Sequence, residues 1–171
     1  DRTKWTYVNN ATVFAGAVNP PSPPNVLLLN ASGPDNFLDD DIRSNFIQLG
    51  SAGDLVLSYF TEHRFVDAGE QLVVEYFASN STWVELNRIT SDGIDQDQFQ
   101  LWVHALPANA KHNEFRLRFR PEVDENIDQW YVDDVRIAAP GALMIDSTPQ
   151  QITIGVSPND ATGAGAGPTP L

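Results

Sequence analysis

Residues 32–41 read SGPDNFLDDD, so Asp35, Asp39, Asp40 and Asp41 crowd one short stretch beside a glycine and a proline. A hard cation such as Ca²⁺ takes about six to eight oxygens at roughly 2.3–2.6 Å, and a short acidic loop can supply several of them while ordering little chain. The spacing is not that of an EF-hand loop, so a complete ligand set needs oxygens from elsewhere. The plainer alternative is a solvated acidic loop.

A second group lies in WYVDDVRI, residues 130–137. If Val135 and Ile137 face a core, a period of two puts Tyr131 and Asp133 on the same side. Asp133 is then a buried or half-buried carboxylate, which costs several kcal/mol unless a cation, an arginine or several backbone donors answer it. Arg43, Arg118 and Arg136 are the arginines available for a buried ion pair.

A third group is a possible ligand face. If residues 98–105 and 114–120 pair as strands, Trp102 and His104 lie beside Arg116, Arg118 and Arg120 on one exposed face. An indole stacks on the apolar side of a sugar ring, and guanidinium groups bond hydroxyls or pair with carboxylate or sulfate. Against this stands simple cross-strand neutralisation of Glu75, Glu62 and other acids. Nothing marks catalysis. His63, His104 and His112 are scattered, and neither HExxH nor GxSxG occurs. Two carboxylates suffice for glycosidase chemistry, but no sequence feature marks the cleft that would hold them.

These groups sit in a chain of 171 residues with net charge -13, no cysteine and 17 aromatics (9 Phe, 4 Trp, 4 Tyr). That length suits one domain, and its aromatic content suits a packed core. The acidity opposes binding to nucleic acid or to anionic lipid. No apolar run approaches the ~20 residues of a membrane-spanning helix. Without cysteine there is no disulfide scaffold, thiolate zinc site or thiol chemistry.

The elements that must position these groups are strands. Between residues 26 and 137 the hydrophobic period is two, broken by Gly, Asn, Asp, Ser and Pro clusters, and no amphipathic helix emerges. Strands are expected over 26–30, 42–49, 54–63, 70–78, 82–90, 98–105, 114–120 and 129–138, with an earlier pair near 4–8 and 12–18. Phe115, Leu117 and Phe119 point to the core and Arg116, Arg118 and Arg120 away from it. Along 82–90 the faces are ambiguous: Trp83 and Ile89 share a row with Glu85 and Asn87. The predicted fold is all-β, a two-sheet antiparallel β-sandwich of the jelly-roll, concanavalin-like kind. The sandwich is expected to occupy 1–157, best defined over 26–138. Residues 151–156 form one further alternating stretch, and the Gly/Ala/Pro-rich 158–171 reads as a flexible linker to a downstream domain.

The order of the strand at 26–30, the acidic Gly-Pro-Asp loop, DLVLSYF at 54–60, EQLVVEY at 70–76, TWVEL at 82–86, EFRLRF at 114–119 and WYVDDVRI at 130–137 resembles the jelly-roll modules related to MAM domains. Those modules are similar to many accessory and carbohydrate-binding domains of secreted bacterial proteins. The resemblance implies a non-catalytic adhesive or ligand-binding role. It also implies a structural Ca²⁺ joining an early loop to the closing strand, with Asp35, Asp39, Asp41 and Asp133 as ligands. Typical MAM domains carry disulfides and this chain has none, which favours a bacterial relative.

The expectation is therefore a monomeric, secreted or cell-surface module that binds polysaccharide or a cell-surface glycan. Structural Ca²⁺ is its cofactor, and neighbouring domains of the same chain are its partners. A spacer or partner-docking domain of a secreted hydrolase, and a polysaccharide-active enzyme of sandwich fold, are the alternatives.

Overall fold

A computed structural model describes residues 2–9, 11–30 and 41–141. Ten strands alternate through them: β1 (Trp5–Asn9), β2 (Ala11–Phe14), β3 (Val26–Asn30), β4 (Asp41–Ser44), β5 (Val56–Arg64), β6 (Gln71–Phe77), β7 (Trp83–Thr90), β8 (Gln100–Ala105), β9 (Leu117–Glu122) and β10 (Gln129–Ala138). They form two five-stranded sheets, ordered β1-β4-β9-β6-β7 and β2-β3-β10-β5-β8. Every pairing is antiparallel. This is the expected sandwich. The region expected to be strand over 42–49 is shorter: after Ser44 only an isolated bridge between Ile47 and Phe115 continues it. Residues 151–156 and the linker expected from 158 lie outside the described residues.

The core follows from the alternation. Leu57, Tyr59, Leu72, Val74, Phe115, Leu117, Phe119 and Trp130 fill the space between the sheets. Each such side chain removed from water contributes roughly 1.5–3 kcal/mol. Tyr59 and Phe119 meet edge to face across it, ring centroids 5.3 Å apart. A second, smaller core of Val26, Leu28 and Tyr131, packed with Phe14, Ala17 and Phe99, lies on the far face of the second sheet.

Two bulges govern what the strands present. In β6–β7, Val74 pairs with Asn87 while Glu75 pairs with Glu85, leaving Leu86 as an extra residue. Before it Trp83 and Glu85 point outward; after it Asn87 and Ile89 point inward. The row that reads as ambiguous in the sequence is thus two rows joined by a bulge. In β10 the register with β5 shifts between Asp133 and Arg136, and Asp134 takes φ 49°. The predicted parity fails across that bulge. Trp130 and Val132 face the main core, whereas Tyr131 faces the smaller one. Asp133 shares the outer side with Tyr131, opposite to the side that counting back from Val135 and Ile137 would give it.

Candidate binding face

The outer face of the first sheet gathers a chain of arginines and acids. Glu75 of β6 stands opposite Arg118 of β9, whose Nε donates to Glu75 Oε2 at 2.7 Å. Arg120 reaches the same Oε2 at 3.5 Å and Glu122 Oε1 at 2.7 Å. Arg88 of β7 bridges Glu122 Oε2 at 2.5 Å and Glu85 Oε2 at 2.7 Å. Burial acts upward on the Glu122 carboxyl, but the bonds from Arg120 and Arg88 outweigh it and hold the group below the ordinary carboxylate range. On β4, Arg43 donates to Asp41 Oδ2 from Nε at 3.0 Å and from Nη2 at 2.6 Å. Arg118 Nη1 approaches the same oxygen at 3.7 Å.

Trp83, the first residue of edge strand β7, lies at one end of this chain. Its ring meets Phe77 edge to face at 5.4 Å. The Arg118 guanidinium sits 4.4 Å from the indole centroid and that of Arg43 5.9 Å away. The two residues that bear on the indole also flank two buried carboxylates: Asp41 is 3% exposed and Glu75 8%. Both bonds accepted by Asp41 fall on Oδ2, while Oδ1 is buried with no hydrogen-bond partner among the described residues. An acceptor left bare in this way is uncommon in folded chains.

Of the residues expected to form a ligand face, Arg116, Arg118 and Arg120 do share one, but Trp102 and His104 do not join them. β8 pairs with β5 in the second sheet and β9 with β4 and β6 in the first, so the expected 98–105/114–120 pairing is corrected. Trp102 packs against the main core and donates from Nε1 to Thr61 Oγ1 at 2.8 Å. His104 lies 3.2 Å from the hydroxyl of Tyr59, which also accepts from Asn87 Nδ2 at 2.9 Å. Burial holds the His104 imidazole below its ordinary pKa. It is Leu101 and Val103 that face outward, 48% and 52% exposed. Arg116 is engaged with Ser44 O at 3.1 Å and with Thr6 Oγ1, and stacks over Phe46 at 4.6 Å. Cross-strand neutralisation accounts for Arg118 and Arg120 through Glu75, whereas Glu62 pairs with Arg64 at 2.7 Å. Sequence reading missed Trp83, because the Leu86 bulge hid which row it belongs to. Of the three arginines it offered as partners of Asp133, Arg43 pairs with Asp41.

Of the four expected metal ligands, the structure describes two. Asp35 and Asp39 lie outside the described residues. Asp41 is on the first sheet with its arginines, and Asp133 is on the second. Asp133 is buried, but protein donors answer its charge: Ser22 Oγ at 2.6 Å and Asp134 N at 2.8 Å on Oδ1, and Ser22 N at 2.8 Å on Oδ2. The arginine considered nearest in sequence, Arg136, binds Asp134 instead. A carboxylate surrounded by N–H and O–H protons does not fit a cation, and neither does one clamped by Arg43. Among the described residues, Glu70, Asp124 and Asp128 are the carboxylates with ligand atoms within 4.8 Å of one another. Burial raises the pKa of both Glu70 and Asp128.

One constellation has the residue types of a catalytic triad but not its geometry. Ser91 Oγ and Asp92 Oδ1 both approach the same atom, His63 Nε2, at 3.0 and 3.9 Å. A triad requires the acid on the opposite ring nitrogen. The serine hydroxyl donates its proton to Val66 O at 2.8 Å, so it accepts from the imidazole and has no base to activate it.

No family model matches the sequence, and no curated protein does. Solved structures share its fold. The xylan-binding domain of carbohydrate-binding module family 22 superposes with a TM-score of 0.52 at 12% identity, over 81% of this chain and 88% of that one. A Clostridium thermocellum xylanase chain of CBM22-1 and GH10 modules, complexed with xylohexaose, gives 0.52 at 17% identity, covering 81% of this chain and 26% of that longer one. The K3 adhesin domain of the lysine gingipain from Porphyromonas gingivalis gives 0.50 at 16% identity, over 76% and 92%. At these identities the likeness is one of fold: this chain has the jelly-roll architecture of carbohydrate-binding modules.

Proposed function

We propose that this domain is a non-catalytic, extracellular carbohydrate-binding module, and that it binds glycan on the outer face of the first sheet around Trp83. The observation that carries the reading is the partly buried Trp83 indole on the outer face of the sheet, set beside the guanidinium groups of Arg43 and Arg118. An aromatic ring and forked donors suit a pyranose with one apolar side and several hydroxyls. The fold supports the reading, since several structural neighbours are carbohydrate-binding modules. The extracellular setting is proposed with it, from neighbours that belong to xylan-binding proteins and an adhesin. Affinity electrophoresis in polysaccharide-containing gels tests the binding: Trp83→Ala and Arg118→Ala lose retardation, while Trp102→Ala keeps it. Retardation retained by Trp83→Ala would remove this face as the site.

A second surface favours a docking role beside the first. β8 is an edge strand with no charged residue apart from a histidine, and Leu101 and Val103 project outward from it, Leu101 opposite Phe60. An apolar edge of this kind is a surface other proteins use. Leu101→Lys and Val103→Lys leave glycan binding intact if the two surfaces are separate, and weaken it if β8 belongs to the glycan site.

A further inference from the structure

On the reading that β8 serves docking, we infer that it takes an extended, basic segment of another polypeptide, added to the second sheet as one more strand. The partner's apolar side chains lie on Leu101 and Val103, and its lysines or arginines lie at its two ends. β1, β2, β7 and β8 are the sheet edges, and they are not alike. An edge carries unpaired N–H and C=O groups that template another strand, and proteins blunt it with charge, a bulge or short length. β7 carries Glu85, Arg88 and the Leu86 bulge. β1 is irregular between Trp5 and Tyr7, and β2 is four residues long. β8 has none of these devices. Its six residues, QLWVHA, include no acid, lysine, arginine or proline, and its ladder with β5 runs unbroken from Ala105 opposite Val56 to Gln100 opposite Thr61.

The side chains on this edge suit a strand as its backbone does. Leu101 and Val103 stand about half exposed on the outer side, and beyond the start of β8 the apolar surface continues through Ile94, 68% exposed, and Phe65, 55% exposed. Phe65 holds φ 59°, a left-handed conformation that an aromatic residue rarely adopts, with its N–H donated to Asp95 Oδ1 at 2.6 Å. Backbone strain of this kind gathers at surfaces that bind. A polysaccharide has no regularly spaced N–H and C=O groups to meet those of the edge, whereas an extended peptide has them at the spacing of the sheet.

Charge selects among peptides. Asp95 and Asp97 are exposed just ahead of β8, on a stretch that Gln96 fastens to the end of β5 by donating its N–H to His63 O at 3.0 Å. At the other end Leu106 N donates to Leu55 O at 2.9 Å, which sets Asp54, its side chain 90% exposed, beside the last residues of the strand. The cations nearby are engaged: Lys111 by Asp54 at 3.0 Å, and Arg64 by the buried Glu62 at 2.7 Å. The edge is therefore apolar along its middle and acidic at both ends. A second copy would bring the same acids and a further net charge of -13, so electrostatics opposes self-pairing. A strand with basic ends meets the opposite charge at each end and is steered onto the edge.

The test titrates the wild-type chain into short fluorescein-labelled synthetic peptides, read by anisotropy at low and high salt. Each alternates valine with threonine over the length of β8. One has lysines at both ends, one has glutamates there, and one is the lysine peptide N-methylated throughout its middle, which removes the backbone donors of both its edges. The expected result is binding of the lysine peptide, weakened by salt, and at least about tenfold weaker binding of the other two. Amides of β8 gain hydrogen-exchange protection on binding. Leu101→Lys with Val103→Lys abolishes the binding, and Asp54→Asn with Asp97→Asn narrows the gap between the lysine and glutamate peptides. Equal or tighter binding of the glutamate peptide would overturn the basic partner and leave the docking reading standing. Equal binding of the N-methylated peptide, or full binding by the double lysine variant at wild-type Tm, would overturn strand addition to β8. Sedimentation of the chain alone as a dimer that Leu101→Lys dissociates would give the edge to a second copy and overturn the inference. No binding of any peptide by a monomeric chain would remove the docking reading itself.

Discussion

Asp41 and Asp133 are both aspartates on strands, both nearly inaccessible to water, at 3% and 7% exposure, and both were natural candidates for one metal site. Their surroundings separate them. Both oxygens of Asp133 are occupied, by Ser22 and by the backbone of Asp134. Asp41 takes all of its bonds on one oxygen and leaves the other bare, beside two arginines and an indole. A completed carboxylate fastens chain to chain, here the proline-rich stretch around Ser22 to the closing strand. Asp41 instead fastens Arg43 beside the Trp83 indole, so it acts on the proposed face through that arginine. Burial alone does not distinguish the two, whereas counting the bonds on each oxygen does.

The strongest way to break the comparison is to remove the completed carboxylate. Asp133→Ala leaves the hydroxyl and N–H of Ser22 and the N–H of Asp134 without their acceptor. The expected loss is about 2–3 kcal/mol in urea unfolding, with an unchanged slope. Ser22→Ala removes only the hydroxyl donor and costs about 1 kcal/mol. Glycan binding by both variants stays at the wild-type level. A fall in binding with stability intact would show that Asp133 serves the ligand after all.

Asp41→Ala is expected to do the reverse. Its principal partner Arg43 is 31% exposed and can return to water, so unfolding measurements should show a change under about 1 kcal/mol. The same variant loses most of its glycan affinity. If Asp41→Ala unfolded the domain as readily as Asp133→Ala, the two carboxylates would be equivalent and the distinction between them would fail.

Glu62 sharpens the comparison as a third case. It is fully buried, its Oε1 accepts from Arg64, and its Oε2 has no partner among the described residues, but it lies on the second sheet, away from the face around Trp83. Burial raises its pKa; the bond and charge of Arg64 act downward without overcoming that, while Asp97 and Asp95 add to the rise. A carboxyl with a raised folded pKa binds its proton more tightly when folded. Its favourable contribution is complete below the ordinary 4.5 and is lost as pH climbs through the folded value. Glu62→Gln should therefore melt higher than wild type at neutral pH, with the gap closing below 4.5, and should bind glycan normally. A gap that widened on acidification would reverse the sign and place the charged form as the stabilising one.

How far these distinctions can be read from sequence depends on the length scale. The strand over 26–30 and the closing strand over 129–138 coincide with the observed β3 and β10, and the split of Phe115, Leu117 and Phe119 from their arginines holds. Alternation along a strand is set by the pleat, so a period of two is visible locally. Which sheet a strand joins is a long-range matter. Residues 98–105 and 114–120 look like a hairpin, but the chain between them, through the short 3₁₀ turn Ala108–Ala110, passes from one sheet to the other. That single crossing separated Trp102 and His104 from the arginines. Bulges are as hard to read: Leu86 and Asp134 each reverse the facing of the residues on either side of them, so Trp83 and Asp133 could not be assigned by counting. The identity of the chemical groups was legible, and their partners were not.

The smallest expected effect, none at all, bears most directly on the metal expected from sequence. A cation bound only by the folded state raises Tm by mass action, and chelation lowers it again. A cation at Asp133 would have to displace the three donors that now hold both oxygens, and one at Asp41 would have to sit against Arg43 and Arg118. Neither displacement is favourable, so exhaustive treatment with EDTA should leave Tm unchanged, and so should later addition of Ca²⁺. A Tm that falls with EDTA and recovers with Ca²⁺, equally in wild type and Asp133→Asn, would place an ion elsewhere. The sites then to test are Asp35 with Asp39, and the Glu70, Asp124 and Asp128 group. A calcium response abolished by Asp133→Asn would instead show that Ser22 yields its position to a metal, and the completed carboxylate would become a second binding group.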